Sequence, residues 1–97
     1  MTRISASEQV QVWLCGLPPQ TKRRVRAALK GLAVSDPRLD LKALRGELEG
    51  FYRLRVGDYR IVYHWELKRV LRLDYADLRE EVYEVFKRLR ALREAGA

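Results

Sequence analysis

Gly50-Phe51-Tyr52-Arg53-Leu54-Arg55-Val56-Gly57-Asp58-Tyr59-Arg60-Ile61-Val62-Tyr63 is the stretch on which the fold turns. On both sides of Gly57-Asp58 the apolar residues alternate with period two, the signature of strands with one buried face. A two-residue connection with glycine first is a hairpin turn of the mirror-image type that suits the right-handed twist of paired strands. With only Gly57 and Asp58 in the loop, the register follows: Val56 faces Tyr59, Arg55 faces Arg60, Leu54 faces Ile61 and Arg53 faces Val62. Tyr52, Leu54, Val56, Tyr59, Ile61 and Tyr63 then form an apolar face suited to receiving helices. Arg53, Arg55 and Arg60 share the opposite face with Phe51, Val62 and His64.

Arg55 directly across from Arg60 is a like-charge pair, which destabilises a sheet by about 0.2–1 kcal/mol. Such a pair reads in two ways. Either a bound anion turns the repulsion into attraction, or the guanidiniums splay into water or are neutralised by Glu80, Glu81 or Glu84. Three converging guanidiniums match the oxygens of a phosphate and stabilise charge developing on a pentacoordinate phosphorus. His64, Arg79 and Tyr83 are the candidates for moving protons beside them, although a lone histidine on a strand is more often a packed or surface residue.

Working outward, the spacing predicts a third strand over Val70–Tyr75, after a turn at Glu66-Leu67-Lys68. Leu78, Val82, Val85, Phe86, Leu89 and Leu92 then recur at helical intervals, an amphipathic helix able to lie on the sheet or on a partner. Toward the start, Ser5 and Glu8 have the spacing of a capping box, predicting a helix from about Ala6 to Gly16. Pro18-Pro19 stops it, and Val25, Ala28, Leu29 and Leu32 mark a second helix from near Pro19. Its outer face carries Lys22, Arg23, Arg24, Arg26 and Lys30, a surface that either tracks a phosphate backbone or is simply solvated. Ser35-Asp36-Pro37 reads as a loop, and a short strand is possible over Arg3 to Ser5. The expectation is one α+β domain over residues 1–97: an N-terminal helical hairpin packed on a small curved antiparallel sheet of three to four strands, with a C-terminal amphipathic helix.

The 97 residues bound the size of the core, since a chain of this length buries about 60–65% of the surface it exposes unfolded. Hydrophobic residues make up 47% and charged ones 34%, a globular rather than disordered balance. No apolar run approaches the ~20 residues of a membrane span. The first residues lack the apolar middle region of a secretory signal, so a cytoplasmic protein is expected. Cys15 is the only cysteine, which excludes an internal disulfide and a multi-cysteine zinc site. Twenty Lys and Arg against thirteen Asp and Glu give a net charge of +7, a balance that fits nucleic acid, an anionic membrane or an acidic protein. A glycine-rich phosphate loop, a metal-ligand cluster and a nucleophile set beside His and carboxylate are all missing from the sequence. Neither metal nor cofactor is expected, and any catalysis is read as acid–base chemistry.

Leu44-Arg45-Gly46 and the stretch Gly50 to Tyr63 resemble the RelE/ParE superfamily of bacterial and archaeal toxins, and Arg79-Glu80-Glu81-Val82-Tyr83 is similar to its terminal Arg and Val-Tyr segment. The resemblance is densest from Leu41 to Tyr63, and extends over Pro18–Leu32 and Val70–Phe86. For the RelE branch it implies a toxin that cleaves messenger RNA on the ribosome, halts translation and is restrained by a cognate antitoxin. It would assign Arg53, Arg55 and Arg60 to the scissile phosphate, Tyr83 to the 2′-hydroxyl proton and Arg79 to the leaving oxygen. From their own placement, on the outer face of the second helix and on the arginine face of the hairpin, Lys22, Arg23, Arg26, Lys30 and His64 are the residues expected to bind RNA. Two features depart from many relatives: Leu78 stands where they have His, and the chain runs on to Ala97 after Tyr83, so that Tyr83 is either presented to RNA or buried by the last helix. The other readings are a ParE-like inhibitor of DNA gyrase and a non-catalytic basic binding module.

Overall fold

The turn at Gly57-Asp58 forms as expected. Gly57 adopts φ 60°, the positive value that its position in the turn demands and that glycine meets without strain. Strands β3 (Tyr52–Val56) and β4 (Tyr59–Glu66) pair antiparallel in the register derived above, Leu54 against Ile61 and Arg55 against Arg60. In this computed structural model, which describes residues 2–67, 69–78 and 81–96, the third strand β5 is longer than expected, running over Val70–Leu78. It pairs with β4 from Glu66↔Val70 to Tyr59↔Leu78, interrupted by a bulge where Val62 faces Tyr75 and Tyr63 faces Leu73. Asp74 is the extra residue of that bulge.

The sheet has five strands rather than three to four, in the order β1-β5-β4-β3-β2. The first addition, β1 (Arg3–Ala6), is the short strand suspected at the start, lengthened by one residue and laid parallel to β5. The second, β2 (Asp40–Ala43), pairs antiparallel with β3 and was not expected. All four of its residues are exposed, so no buried alternation marks it, and charged residues on a short edge are how sheets discourage further pairing.

Extending β1 moves the start of the first helix. Ser5 lies in the strand, and the N-cap of α1 (Glu8–Cys15) is Ser7, whose hydroxyl accepts from Val10 N at 3.2 Å. Helix α2 (Pro19–Ala33) begins with proline at its first position, where the missing N–H costs nothing. The expected N-terminal hairpin of two paired helices is not formed: β1 precedes both, α1 packs on β5 and β1, and α2 packs against β3. Both helices bury their apolar residues in one shared cluster over the sheet. Val10, Val25, Leu29 and Leu32 close over Leu54, Ile61, Tyr63, Leu71 and Leu73 to make the larger core cluster.

The last helix, α3 (Glu81–Gly96), lies on the other face, the one that carries the arginines. Val82 and Phe86 bury against Val62, Tyr75 and Leu48, the last from a 3-10 turn over Gly46–Leu48. Phe51 binds this layer together, with edge contacts to Phe86 at 5.2 Å and to His64 at 5.0 Å and the Arg90 guanidinium 4.7 Å over its ring. Leu54 sits at the centre of the larger cluster with no exposed surface. Leu54→Ala is expected to cost about 2–5 kcal/mol, read as a lowered denaturant midpoint at unchanged slope. No helix among the described residues is long and apolar enough to cross a membrane.

Candidate functional site

On the α3 face the register sets four charged residues side by side across β2, β3, β4 and β5: Asp40, Arg55, Arg60 and Asp77. The like-charge pair is therefore bracketed by aspartates from the neighbouring strands. Of the glutamates considered as neutralising partners, Glu84 pairs with Lys87 instead, at 3.5 Å, while Glu80 and the Glu81 side chain lie outside the described positions. Arg53, one row further on, donates from Nη2 to Asp40 Oδ1 at 2.8 Å and is only 12% exposed, its Nε buried without a hydrogen bond.

Arg55 and Arg60 fold back on the turn. Arg55 Nε donates to Gly57 O at 2.9 Å, and Arg60 Nη1 reaches Asp58 O at 3.4 Å. A third guanidinium arrives from the opposite face of the sheet: a methyl group placed on Gly57 would meet Arg24 Nη2 at 3.6 Å. The hairpin tip is thus ringed by Arg55, Arg60 and Arg24. The turn contacts of Arg55 and Arg60 are to carbonyls at a solvent-exposed tip, where net hydrogen-bond energies are small, and a phosphate at such carbonyl contacts offers charge-assisted bonds about twice as strong.

Tyr83 is half-buried. Its ring rests on the second core cluster while it lines a groove of about 610 Å³ between β2 and α3. Lys42, Arg45 and Lys87 line the same groove over Leu44 and Leu48. Lys42 is the registered neighbour of Arg53 on β3, so the groove adjoins the arginine set at that residue. The geometry is an open basic channel with one phenol inside it and the hairpin arginines beyond. Sequence reasoning did not single out Lys42 or Lys87, placed Arg24 only on the basic outer face of the second helix, and used Arg45 only as part of a motif. Arg45-Gly46 was the available signal, since Gly46 takes φ 64° and shapes the turn after β2.

The remaining candidates are dispersed. Arg23, Arg26 and Lys30 are exposed and Lys22 is half-buried on α2, which covers the opposite face from Arg53, Arg55 and Arg60. Arg79 lies outside the described residues. His64 is on the arginine face but toward the far end of the sheet. Its Nδ1 donates to Asp74 Oδ2 at 2.6 Å, and Nε2 sits 3.4 Å from Glu66 Oε1. Burial raises the Asp74 carboxyl above its ordinary value, an effect that the hydrogen bond from His64 opposes in part. A carboxyl raised on folding contributes stability below its unfolded value of 3.8 and loses that contribution as pH climbs through its folded value. Asp74→Asn keeps an acceptor for His64 and lacks this loss. Its melting temperature relative to the native chain is expected to rise between about pH 4 and pH 7, as thermal unfolding across that range would show.

No protein-family model matches the chain, and no curated protein matches it. Solved structures do. A chain of the RelB–RelE antitoxin–toxin complex of Methanococcus jannaschii superposes with a TM-score of 0.66 at 21% identity, over 84% of this chain and 96% of that one. The RelBE2 toxin–antitoxin complex of Mycobacterium tuberculosis gives 0.66 at 25% identity, over 80% and 98%. The isolated RelE toxin of E. coli gives 0.66 at 23% identity, over 92% and 99%. The fold, then, is that of toxins from toxin–antitoxin systems. Within that class it is the RelE-like superfamily fold, as the hairpin motif suggested.

Proposed function

We propose that this protein is the toxin of a type II toxin–antitoxin system and an endoribonuclease that cleaves messenger RNA on the ribosome, inhibiting translation in the cytoplasm. The observation that carries the reading is the placement, on one sheet face of a RelE-like fold, of Arg53, Arg55 and Arg60 beside a basic groove that holds Tyr83. In the proposed step the RNA 2′-oxygen attacks the adjacent phosphorus, the P–O5′ bond breaks, and a 2′,3′-cyclic phosphate and a 5′-hydroxyl form. Tyr83, entering the step as its phenolate, accepts the 2′-hydroxyl proton; the departing 5′-oxygen takes its proton from water, whose hydroxide returns Tyr83 to the phenolate, and the guanidiniums stabilise the charge that gathers on the non-bridging oxygens. Arg79 is assigned to the leaving oxygen by resemblance to the family segment. Positive charge is supplied by side chains, so the proposed chemistry needs neither metal nor cofactor.

Lys42, Arg45 and Lys87 hold the flanking phosphates in this scheme, while Lys22, Arg23, Arg26 and Lys30 on the far face contact RNA outside the cleavage site, with Arg24 linking the two surfaces around the hairpin tip. His64, tied to Asp74, contributes by shaping the sheet. The Methanococcus and Mycobacterium structures are complexes with antitoxins, which supports an antitoxin as this chain's partner. Adding purified protein to a translating extract and mapping RNA 5′ ends tests the reading. Cuts within translated codons support it, and RNA left whole while supercoiling by gyrase is blocked would replace it with the ParE-like alternative.

A further inference from the structure

Strand β2 ends the sheet order, and its outer edge has no strand beside it among the described residues. Leu44 N donates to Phe51 O at 2.9 Å, and pairing continues in the same register through Lys42↔Arg53 and Asp40↔Arg55. Successive residues of an antiparallel strand turn their backbone groups to alternate sides. Leu44, Lys42 and Asp40 therefore bond toward β3, while Leu41 and Ala43 turn their N–H and C=O groups outward. The hairpin fixes the same parity independently. Val56 and Tyr59 close a two-residue turn, which makes Leu54↔Ile61 a bonded pair and commits the Leu54 groups to β4 rather than to Leu41.

The side chains of this edge are self-complementary. Asp40 and Lys42 stand on the α3 face, and Leu41, 42% exposed, stands on the α2 face. Their charges repel an indifferent strand, which meets them with nothing to offset them. A second copy of the same edge does offset them. Turned antiparallel about a two-fold axis through Leu41, with both α3 faces on one side, it sets Leu41 against Leu41 and Asp40 against Lys42, twice over. The outward groups of Leu41 make the central pair one that exchanges two backbone hydrogen bonds, and the flanking pairs are of opposite charge, which stabilises residues directly across from each other. A slip of one residue sets the α3 face of one copy against the α2 face of the other. A slip of two opposes Asp40 to Asp40 or Lys42 to Lys42. Asp40 Oδ1 accepts from Arg53 Nη2 within the chain, yet the side chain is 56% exposed, and a carboxylate accepts at both oxygens.

We propose that β2 is a self-association edge: two copies of this chain pair through Asp40–Lys42 about a two-fold axis, joining their sheets into one. The contact is a single short strand, far below the roughly 1,600 Å² of a standard interface, and the net charge of +7 on each copy opposes it. The dimer is accordingly weak and reversible. Salt near 0.15 M limits that repulsion to a range of about 8 Å, and the opposed side chains in contact then decide the register. Both Tyr83 grooves come to lie on the same face of the joined sheet, and the pairing requires nothing of the RNA chemistry.

Sedimentation equilibrium of the full chain in about 0.15 M salt is expected to show a monomer–dimer equilibrium that moves with concentration. Asp40→Lys and Lys42→Asp each oppose like charges twice across the axis, and each is expected to weaken the dimer at least about tenfold. Mixed together, the two variants regain opposite charges at both pairs, and the mixture is expected to associate as the native chain does. Leu41→Pro removes an outward N–H and none of the bonds to β3. It is expected to abolish the dimer, with far-UV circular dichroism verifying the native fold, and it decides alone should Asp40→Lys unfold beside Arg53 and Arg55. The proposal is overturned if the native chain stays monomeric up to roughly millimolar concentration. It is equally overturned if either charge reversal or Leu41→Pro associates as the native chain does, or if the mixture of folded reversal variants stays monomeric.

Discussion

Arg55→Ala is expected to slow RNA cleavage by about 10²–10³-fold, the scale of losing one preorganised donor to an oxyanion, while leaving the fold at least as stable as before. The two halves of this expectation come from the same geometry. Arg55 is exposed and stands opposite Arg60, with a turn carbonyl as its hydrogen-bond partner among the described residues. Removing it relieves a cross-strand repulsion of about 0.2–1 kcal/mol and deletes one charge-assisted contact to phosphate. Binding of a non-cleavable RNA should weaken, with the salt dependence of its affinity falling by about one phosphate contact. A variant that loses activity because it unfolds shows the opposite sign in its melting temperature, so the two explanations separate in one experiment.

Tyr83→Phe carries the second large effect. The ring keeps its packing on the second core cluster, and only the hydroxyl leaves the groove. If that oxygen takes the 2′-hydroxyl proton, single-turnover cleavage falls by about 10²–10⁴-fold with RNA affinity nearly unchanged. A residue that serves only as packing would give a variant indistinguishable from the native chain. The test is sharp because Tyr83 is neither fully buried nor fully exposed, and both roles are sterically open to it. Lys87, one helical turn further on and in the same groove, gives a useful contrast: Lys87→Met should weaken RNA affinity more than it slows the bound complex.

The hairpin was legible from sequence because two rules agreed there. Period-two alternation assigned the faces of β3 and β4, and a two-residue turn led by Gly57 allowed one register. The first and last helices and the longer middle one were legible from their apolar spacing. What escaped depended on edges and on contacts distant in sequence. Strand β2 buries none of Asp40–Ala43 and exists because β3 offers it hydrogen bonds. The cap moved from Ser5 to Ser7 because β1 was drawn into parallel pairing with β5, sixty-odd residues away in the chain, and local spacing cannot register such a partner. Two consecutive amphipathic helices read as a hairpin, yet each was claimed by the sheet.

The site divides along the same line. Arg53, Arg55 and Arg60 share a face because they lie on two adjacent strands of known register. The groove at Tyr83 draws on β2, the 3-10 turn and α3, and no local pattern announces Lys42, Arg45 and Lys87 as neighbours. His64 stands on the arginine face, as its register implies, but its ring lies 2.6 Å from Asp74, the extra residue of the β5 bulge. A bulge of one residue changes which side chain faces which, and the spacing of apolar residues in β5 does not reveal it.

The central claim is that the hairpin arginines act on a phosphodiester of messenger RNA, and mapping RNA 5′ ends in cells that express this chain alone tests it most directly. The account predicts new ends within translated codons, in step with the reading frame, appearing with growth arrest and absent when Arg55→Ala is expressed at equal level. Growth arrest with intact messenger RNA, or cuts that persist undiminished in Arg55→Ala, would contradict it.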